Sequence, residues 1–325
     1  MDSVPDTGIV ESASPELSEN ASGACSRYAA DLLAAQPFES YELGECLAAH
    51  DESAVFRATD RNMDRTVALK ALRPWPGREN AVEDFFSQAG AVARVRHPGL
   101  ARGLDVGRGG GSFFMAHELL RGESLEARLA RRQTGRLLEK ESLLLVRDLA
   151  TILQGLFDIG QSHGDLRPSR VLLGDGGKPR LLGIGFSWTI AWPNDKAAFL
   201  AAPDYLSPER IAEEFTIDVR GDLYALGCLW HRALMGVPVF RGQTTAETLD
   251  MHLAAEPTPP REVDPRLSSA SSQLILWLLE KDRDARPRTP RDFLRKLATH
   301  PLLADQIEEA DDAGEKSDGA GVEDE

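Results

Sequence analysis

Short alternating runs of apolar and polar residues dominate the first third of the chain. Strands are predicted over 41–47, 53–58, 66–72, 100–106 and 112–119, because residues with β propensity lie there between polar segments. One stretch, 79–96, breaks this pattern. Its apolar residues recur at helical spacing and stop before His97 and Pro98, which predicts an amphipathic helix.

The rest of the chain has helical periodicity. Helices are predicted over 139–160, 221–235, 245–253 and 268–279. A strand-rich part with one helix followed by a helix-rich part predicts an α+β protein with two lobes. We expect a small antiparallel β-lobe, a larger α-helical lobe and a cleft between them.

Composition indicates the cellular compartment and excludes several classes of protein. The 325 residues are 42% hydrophobic, which is enough for a buried core, but no apolar run is long enough to cross a bilayer. The first 30 residues lack the pattern of a secretory signal. Cys25, Cys46 and Cys228 lie far apart, so a disulfide framework and a zinc site are not expected. The prediction is a cytoplasmic protein that does not associate with membranes.

Charge divides the chain into three parts. Residues 1–38 carry six acidic groups and one Arg, and residues 305–325 carry ten acidic groups and one Lys. Both are predicted to be disordered acidic segments, with a short helix favoured over 26–36 in the first. Residues 39–304 form the folded domain, with a small lobe over 39–118 and a large lobe over 119–304. The acidic tail either solubilises the chain, docks on a basic partner or folds back on the domain.

Five short motifs stand in a fixed order along the domain. They are Val-Ala-Leu-Lys at 67–70, His-Gly-Asp-Leu-Arg-Pro at 163–168, Ser-Pro-Glu at 207–209, Asp-Leu-Tyr-Ala-Leu-Gly at 222–227 and Asp-Ala-Arg-Pro at 284–287. In order and spacing the chain resembles the bacterial, eukaryotic-type serine/threonine protein kinases over roughly 41–302. The resemblance implies the protein-kinase fold.

The resemblance also implies a set of nucleotide-binding positions. Lys70 matches the lysine that pairs with the α- and β-phosphates. Val55 and Ala68 match residues above the adenine and Leu172 matches one below it, although these three also suit an ordinary core. His117 matches the gatekeeper, and backbone groups of Glu118–Leu120, including those of Leu120, match the hinge that faces the adenine edge.

Three further positions match the family's architectural residues. Glu209 and Arg286 match a buried ion pair that ties the activation segment to the large lobe. Asp222 matches the carboxylate that accepts backbone N–H bonds from the catalytic loop. These residues predict that the domain folds and say nothing of catalysis.

The catalytic loop and the metal site depart from the family. Asp165 retains the catalytic aspartate, and Arg167 replaces the lysine two residues later. Gly164 replaces the loop arginine, Arg170 replaces a metal-binding asparagine and Gly183 replaces the metal-binding aspartate. Arginine has no acceptor and cannot ligate a cation. A Mg²⁺ cofactor is therefore not expected.

The predicted small lobe also lacks residues that the family uses to bind nucleotide. Gln88 stands where the family has a glutamate that pairs with the lysine. Cys46 replaces the second glycine of the phosphate loop, and Asp51 and Glu52 near its tip would repel phosphates. Over six positions (Lys70, Gln88, Gly183, Arg170, Asp165 and Arg167) the net charge becomes +2, against −1 in the family. The metal site has thus changed toward an anion site.

Three functional hypotheses follow. The first is a pseudokinase that binds or regulates an unidentified protein partner. It either holds ATP without metal, with Lys70 and Arg170 neutralising phosphates, or fills the cleft by pairing Arg170 with Asp165. The second is an active serine/threonine kinase with atypical metal handling, using Lys70 and Asp165. The third is a small-molecule phosphotransferase, which the Ser-Pro-Glu motif and Arg286 disfavour. Nucleic-acid binding is not expected from so acidic a chain.

Overall fold

The computed structural model describes residues 26–49, 53–73, 97–183, 202–212 and 218–303. The predicted helix over 79–96, with Gln88, lies outside the described residues. So do Asp51 and Glu52 at the tip of the first hairpin, and the segment from 184 to 201. The chain divides into two compact units. Residues up to 131 and from 168 to 189 belong to the first, and all others belong to the second.

The first unit is built on a five-stranded antiparallel sheet. Its strands are β1 (Tyr41–Ala49), β2 (Ser53–Asp60), β3 (Arg65–Leu72), β4 (Gly103–Gly109) and β5 (Ser112–Glu118), in the spatial order β1-β2-β3-β5-β4. All five predicted strands are confirmed, with ends shifted by a few residues. Alternation explains them, since Val67, Leu69 and Ala71 of β3 are fully buried while their neighbours are not.

The hairpin between β1 and β2 is longer than its loop-like sequence suggests. Ala49 still pairs with Ala54, so most of the extra residues extend the two strands. The β1 register shifts between Leu43 and Cys46 and again between Cys46 and Ala48, as β-bulges do when one strand carries more residues than its partner. The bulges fall where the family has its phosphate-binding glycines.

A helix, α1 (Arg27–Ala35), covers one face of this sheet. Its Tyr28, Ala29 and Leu32 are buried in one cluster with strand residues that include Phe56 and Phe114. Phe38, just after the helix, joins the same cluster. The short helix predicted over 26–36 is confirmed as α1, and residues 26–38, which were predicted as part of an otherwise disordered segment, pack on the sheet. The acidic composition of the whole segment concealed apolar side chains that share one helical face.

Two polar contacts attach α1 to the strands. The Tyr28 hydroxyl donates to Ser112 Oγ at 2.9 Å. The Gln36 amide is bidentate with the backbone of Leu43, because Nε2 donates to the carbonyl at 3.0 Å and Oε1 accepts from the N–H at 2.8 Å. Gln36 thereby satisfies both polar groups of a β1 residue, as a neighbouring strand would.

A three-stranded antiparallel sheet completes the first unit. It contains β6 (Glu123–Ser124), β7 (Val171–Leu173) and β8 (Pro179–Leu181), with helix α2 (Leu125–Arg131) after β6. A parallel bridge between Leu100 and Leu181 connects it to the segment before β4. This unit therefore extends beyond the small lobe predicted over 39–118, because these strands belong with it.

The second unit is helical in the residues described. Its helices are α3 (Glu139–Phe157), α4 (Pro208–Ile211), α5 (Val219–Met235), α6 (Thr245–Ala254), α7 (Pro260–Val263), α8 (Ser269–Leu278) and α9 (Pro290–Leu297). The four predicted helices match α3, α5, α6 and α8. Helix α5 forms the centre of this unit, with Tyr224 and Trp230 fully buried. It is capped by Asp218 and ends at Gly236, whose φ of 75° suits glycine.

The predicted α+β class, with an antiparallel sheet and a helical part, is confirmed. Among the described helices, none has both the length and the apolar character to cross a bilayer.

Candidate nucleotide site and catalytic loop

Three of the predicted nucleotide-binding residues lie on one face of the five-stranded sheet. Val55 is directly opposite Lys70 in the β2–β3 pair, and Ala68 is directly opposite His117 in the β3–β5 pair. Residues opposite each other in a ladder share a face, and alternate residues of β3 do as well. Val55, Ala68 and Lys70 are half-buried there. The cluster with α1 occupies the other face, so the Lys70 face is distinct from it.

His117 on the Lys70 face is held neutral. Burial and, to a smaller extent, the positive charge of Lys70 together lower the pKa of His117 to about 4. The imidazole therefore adds no charge at neutral pH. Lys70 is therefore a cation beside a neutral imidazole, and Arg57, opposite Ala68, is a second cation on this face.

The predicted hinge is anchored by an ion pair that sequence reasoning missed. Arg180 of β8 donates to both oxygens of Glu118, from Nη1 at 3.1 Å and from Nη2 at 3.0 Å, and to the carbonyl of Leu100 at 3.1 Å. These bonds lower the pKa of Glu118. The Glu118 N–H donates to the Arg102 carbonyl at 2.9 Å, as sheet pairing requires.

Leu120 differs from Glu118. Within the described part of the chain, no hydrogen bond engages its backbone N–H or carbonyl group. Of the predicted hinge residues, Leu120 therefore retains the donor and acceptor that an adenine edge needs. Leu172 is 1% exposed in β7, opposite Arg180, and this burial is compatible with both a core role and the predicted contact with adenine.

Arg170 and Gly183, the two replaced metal-binding positions, are in contact. A Cβ atom built on Gly183 would lie 3.3 Å from Arg170 Nη1 and 3.4 Å from its Cζ. The neighbouring Leu182 N–H donates to the Arg170 carbonyl at 2.9 Å, which fixes the two segments together. Gly183 has a φ of 84°, a conformation that side-chain-bearing residues rarely adopt. The guanidinium thus lies beside the place where the family has a carboxylate.

The two predicted catalytic residues lie in the second unit and pair with each other. Arg167 Nε is 3.2 Å from Asp165 Oδ1. The Asp165 N–H donates to His163 Nδ1 at 3.2 Å, which shapes the turn of the loop. Asp165 is thus a carboxylate with an adjacent cation.

Arg210 is a further loop residue that sequence reasoning missed. Its guanidinium donates to the carbonyl of Gly164, which has a φ of 78°. Burial lowers the pKa of Arg210, while the carboxylates of Asp165, Asp222 and Glu209 raise it, so all three lie close to this guanidinium. A second cation therefore lies near Asp165, supplied by the residue after the Ser-Pro-Glu motif.

The predicted architectural residues make the contacts expected of them. Asp222 is 2% exposed, and its carboxylate accepts from the N–H groups of His163 at 2.6 Å and Gly164 at 2.7 Å. Burial nevertheless raises the pKa of Asp222 to about 6. Arg286 donates from both terminal nitrogens to the two oxygens of Glu209, each at 2.8 Å.

The donor chemistry at positions 170 and 183 does not fit Mg²⁺. Glycine and arginine supply no side-chain oxygen, and Mg²⁺ requires oxygen ligands in a near-octahedral set. Within the described residues, no group of three or more His, Cys, Asp or Glu side chains is placed to hold a metal ion.

The fold and the architectural contacts define a protein of the kinase class. The chain belongs to the protein kinase domain family, whose sequence profile matches residues 41–303.

Its relatives include bacterial serine/threonine kinases. It is 32% identical over 255 residues to the DNA damage-responsive serine/threonine-protein kinase RqkA of Deinococcus radiodurans, a match that covers 77% of this chain and 38% of that protein. It is 31% identical over 261 residues to the serine/threonine-protein kinase pkn3 of Myxococcus xanthus, covering 75% and 46%. It is 27% identical over 268 residues to the serine/threonine-protein kinase PknB of Mycobacterium tuberculosis, a match that covers 80% of this chain and 42% of that protein. The chain thus spans less than half the length of these relatives.

Proposed function

We propose that this domain is a pseudokinase, a binding or regulatory module that does not carry out Mg²⁺-dependent phosphoryl transfer. The observation that carries the proposal is the contact between Arg170 and Gly183. Phosphoryl transfer in this family needs metal ions that neutralise the β- and γ-phosphate oxygens. Here one metal-binding position lacks a side chain and the other directs a cation to the same place.

The replacements at 170 and 183 are consistent with each other. An aspartate at 183 would place its carboxylate against the Arg170 guanidinium, and the two would pair with each other in preference to a metal. An asparagine at 170 alone would leave no carboxylate at all. Both positions would have to revert before a metal site could form.

We further propose that this domain binds ATP without a metal ion. Lys70 supplies one cation, Arg170 a second and Leu120 the unengaged backbone groups. These groups complement a nucleotide's phosphates and adenine edge with no divalent ion.

Cys228 is buried and Cys46 half-buried, and both are free thiols, which agrees with the proposed cytoplasmic setting.

A thermal-shift titration of the full chain tests the metal-free proposal. A ligand that binds only the folded state at about 100 times its Kd adds about 2.7 kcal/mol of stability, which raises the Tm. We expect ATP to raise the Tm equally with Mg²⁺ and with a chelator, and Lys70→Met to reduce the shift. A shift that requires Mg²⁺ would overturn the proposal. The absence of any shift would reject nucleotide binding and leave only the role as a protein-binding module.

The second candidate is an active serine/threonine kinase, favoured by the retention of Lys70 and Asp165. Asp165, which lies 3.2 Å from Arg167 Nε, supplies a carboxylate of the kind that accepts a hydroxyl proton in general-base catalysis. Transfer of labelled phosphate to the chain itself or to a generic protein substrate tests this candidate. We expect no transfer above that of Asp165→Asn, and transfer that this substitution abolishes would establish the second candidate.

A further inference from the structure

A row of exposed cations lies on the last helix of the second unit. Helix α9 directs Pro290, Phe293 and Leu297 into the core. Its outer side presents Arg291, Arg295 and Lys296, and the exposed Arg288 precedes the helix. We call these four residues the basic strip. Residues 288–296 contain four cations and only one carboxylate, that of Asp292.

The charges of the basic strip are only partly balanced. Among the described residues, no carboxylate pairs with Arg288 or Lys296. Arg291 Nη2 is 3.9 Å from Asp158 Oδ2, and both side chains are more than half exposed, so this pair is weak. Arg295 pairs with Asp292 of the same helix at 3.1 Å. The strip therefore retains a net positive charge.

In a second arginine-rich stretch, by comparison, every cation has a carboxylate partner. Residues 128–136 also contain four cations and no carboxylate. Each of the four is paired with a carboxylate elsewhere in the fold; the pairs are Arg128 and Arg131 with Glu123, Arg132 with Glu141, and Arg136 with Asp264. In the basic strip, only Arg291 has a partner elsewhere in the fold among the described residues, and that contact with Asp158 is long and exposed.

The chain supplies acidic groups a few residues beyond the strip. Residues 305–325 carry ten acidic groups and one Lys, and a first cluster of four lies at 308–312. Helix α9 is eight residues long, about 12 Å. Five extended residues, the separation between 303 and 308, span up to about 17 Å. This reach exceeds the length of the helix, so the tether is long enough to bring the first acidic cluster to the basic strip.

We propose that residues 305–325 bind the basic strip of the same chain. Each exposed ion pair contributes little alone, but several pairs formed by a tethered segment act together at a high effective concentration. The contact is electrostatic and exposed, so salt weakens it. An increase of ionic strength from about 0.1 M to about 1 M shortens the Debye length from about 10 Å to about 3 Å.

Paramagnetic NMR on the full chain tests this contact. A nitroxide is attached at Ser317→Cys in a chain whose Cys25 and Cys46 are changed to Ser, while Cys228 stays because it is buried. We expect the amide signals of Arg288 and Arg291 to lose intensity at low salt and to recover at high salt. Residues 128–136 should keep their intensity throughout, and a loss caused by chain connectivity alone would not respond to salt.

Two triple variants with equal charge change provide the control. Replacing Arg288, Arg291 and Arg295 by Gln should abolish the loss of intensity. Replacing Arg131, Arg147 and Arg266 by Gln removes three exposed arginines elsewhere and should leave the loss unchanged. All six side chains are exposed, so both variants should fold, which circular dichroism checks. A loss confined to residues after 297, insensitive to salt, or equal in the two variants would overturn the proposal and leave the tail for a separate basic partner.

Discussion

Two pairs of residues in this domain compare in opposite ways with the kinase family. The Glu209–Arg286 pair keeps the family's residues, and its bidentate contact is buried, with the Arg286 side chain fully enclosed. The Arg170–Gly183 pair keeps neither residue of the metal site, yet its members also fit each other closely. The first pair is structural, and the second occupies positions that serve chemistry in the family.

The difference indicates which contacts hold a kinase fold together when residues at its metal-binding positions are replaced. Removing one partner of a buried ion pair leaves an uncompensated charge in the core, so such pairs resist change one residue at a time. A metal site makes no such demand, because the ion belongs to the nucleotide complex and the empty domain folds without it. Kinase architecture can therefore persist around a changed metal site.

The largest expected loss of stability comes from breaking the Glu209–Arg286 ion pair. Arg286→Gln leaves the Glu209 carboxylate buried without its cation and should lower the free energy of unfolding by about 3–5 kcal/mol. Arg266→Gln is the matched control, because Arg266 makes a similar bidentate pair with Asp264 but is 80% exposed. The control should cost less than about 1 kcal/mol. Urea denaturation measures both, and equal losses would show that burial does not protect the pair.

A smaller, pH-dependent effect is expected at Asp222, whose carboxylate accepts the N–H groups of the catalytic loop. Burial raises the pKa of Asp222 from 3.8 to about 6. Between these pH values the folded state binds more protons than the unfolded state, so this group's contribution to stability falls as pH rises through the window. Two pKa units correspond to about 3 kcal/mol.

Asp222→Asn should remove that part of the pH dependence between about pH 4 and pH 6, as urea denaturation across the range would measure. Asp264→Asn is the control, since neighbouring arginines lower the pKa of Asp264 to about 2 and its titration lies below the window. An identical pH profile for the wild type and Asp222→Asn would contradict the assignment.

Disturbing the contact between Arg170 and Gly183 should lower the free energy of unfolding by a still smaller amount. Gly183→Ala adds a Cβ near Arg170 at a φ of 84°, a left-handed conformation that costs a residue with a side chain about 1–2 kcal/mol. Gly174→Ala is the matched control, because a Cβ there meets only the Lys178 carbonyl at 3.8 Å and the Arg121 carbonyl at 3.9 Å. Chemical denaturation should show a loss for Gly183→Ala alone, and equal changes would mean that position 183 tolerates a side chain.

Residues that match a family motif could be located from the sequence, whereas several contacts between distant residues could not. Motif order located Lys70, Asp222 and the Glu209–Arg286 pair, and periodicity located the strands, because both signals are local. The contacts of Arg180 with Glu118 and of Arg210 with Gly164 join residues 62 and 46 positions apart and match no motif. The packing of Tyr28 on the sheet was hidden by the acidic residues around it.

The finest test asks whether the replaced pair alone prevents metal-dependent binding. Arg170→Asn with Gly183→Asp restores both oxygen-bearing side chains of the family at once, and Lys70 is unchanged. We expect Mg²⁺ to raise the ATP affinity of this double variant about tenfold, or about 1.4 kcal/mol, as isothermal calorimetry with and without Mg²⁺ would measure. Gly183→Asp alone is the control, since its carboxylate should pair with Arg170 and give no response to Mg²⁺. If the double variant is equally indifferent, the loss of metal binding extends beyond these two positions, and Gln88 becomes the next residue to revert.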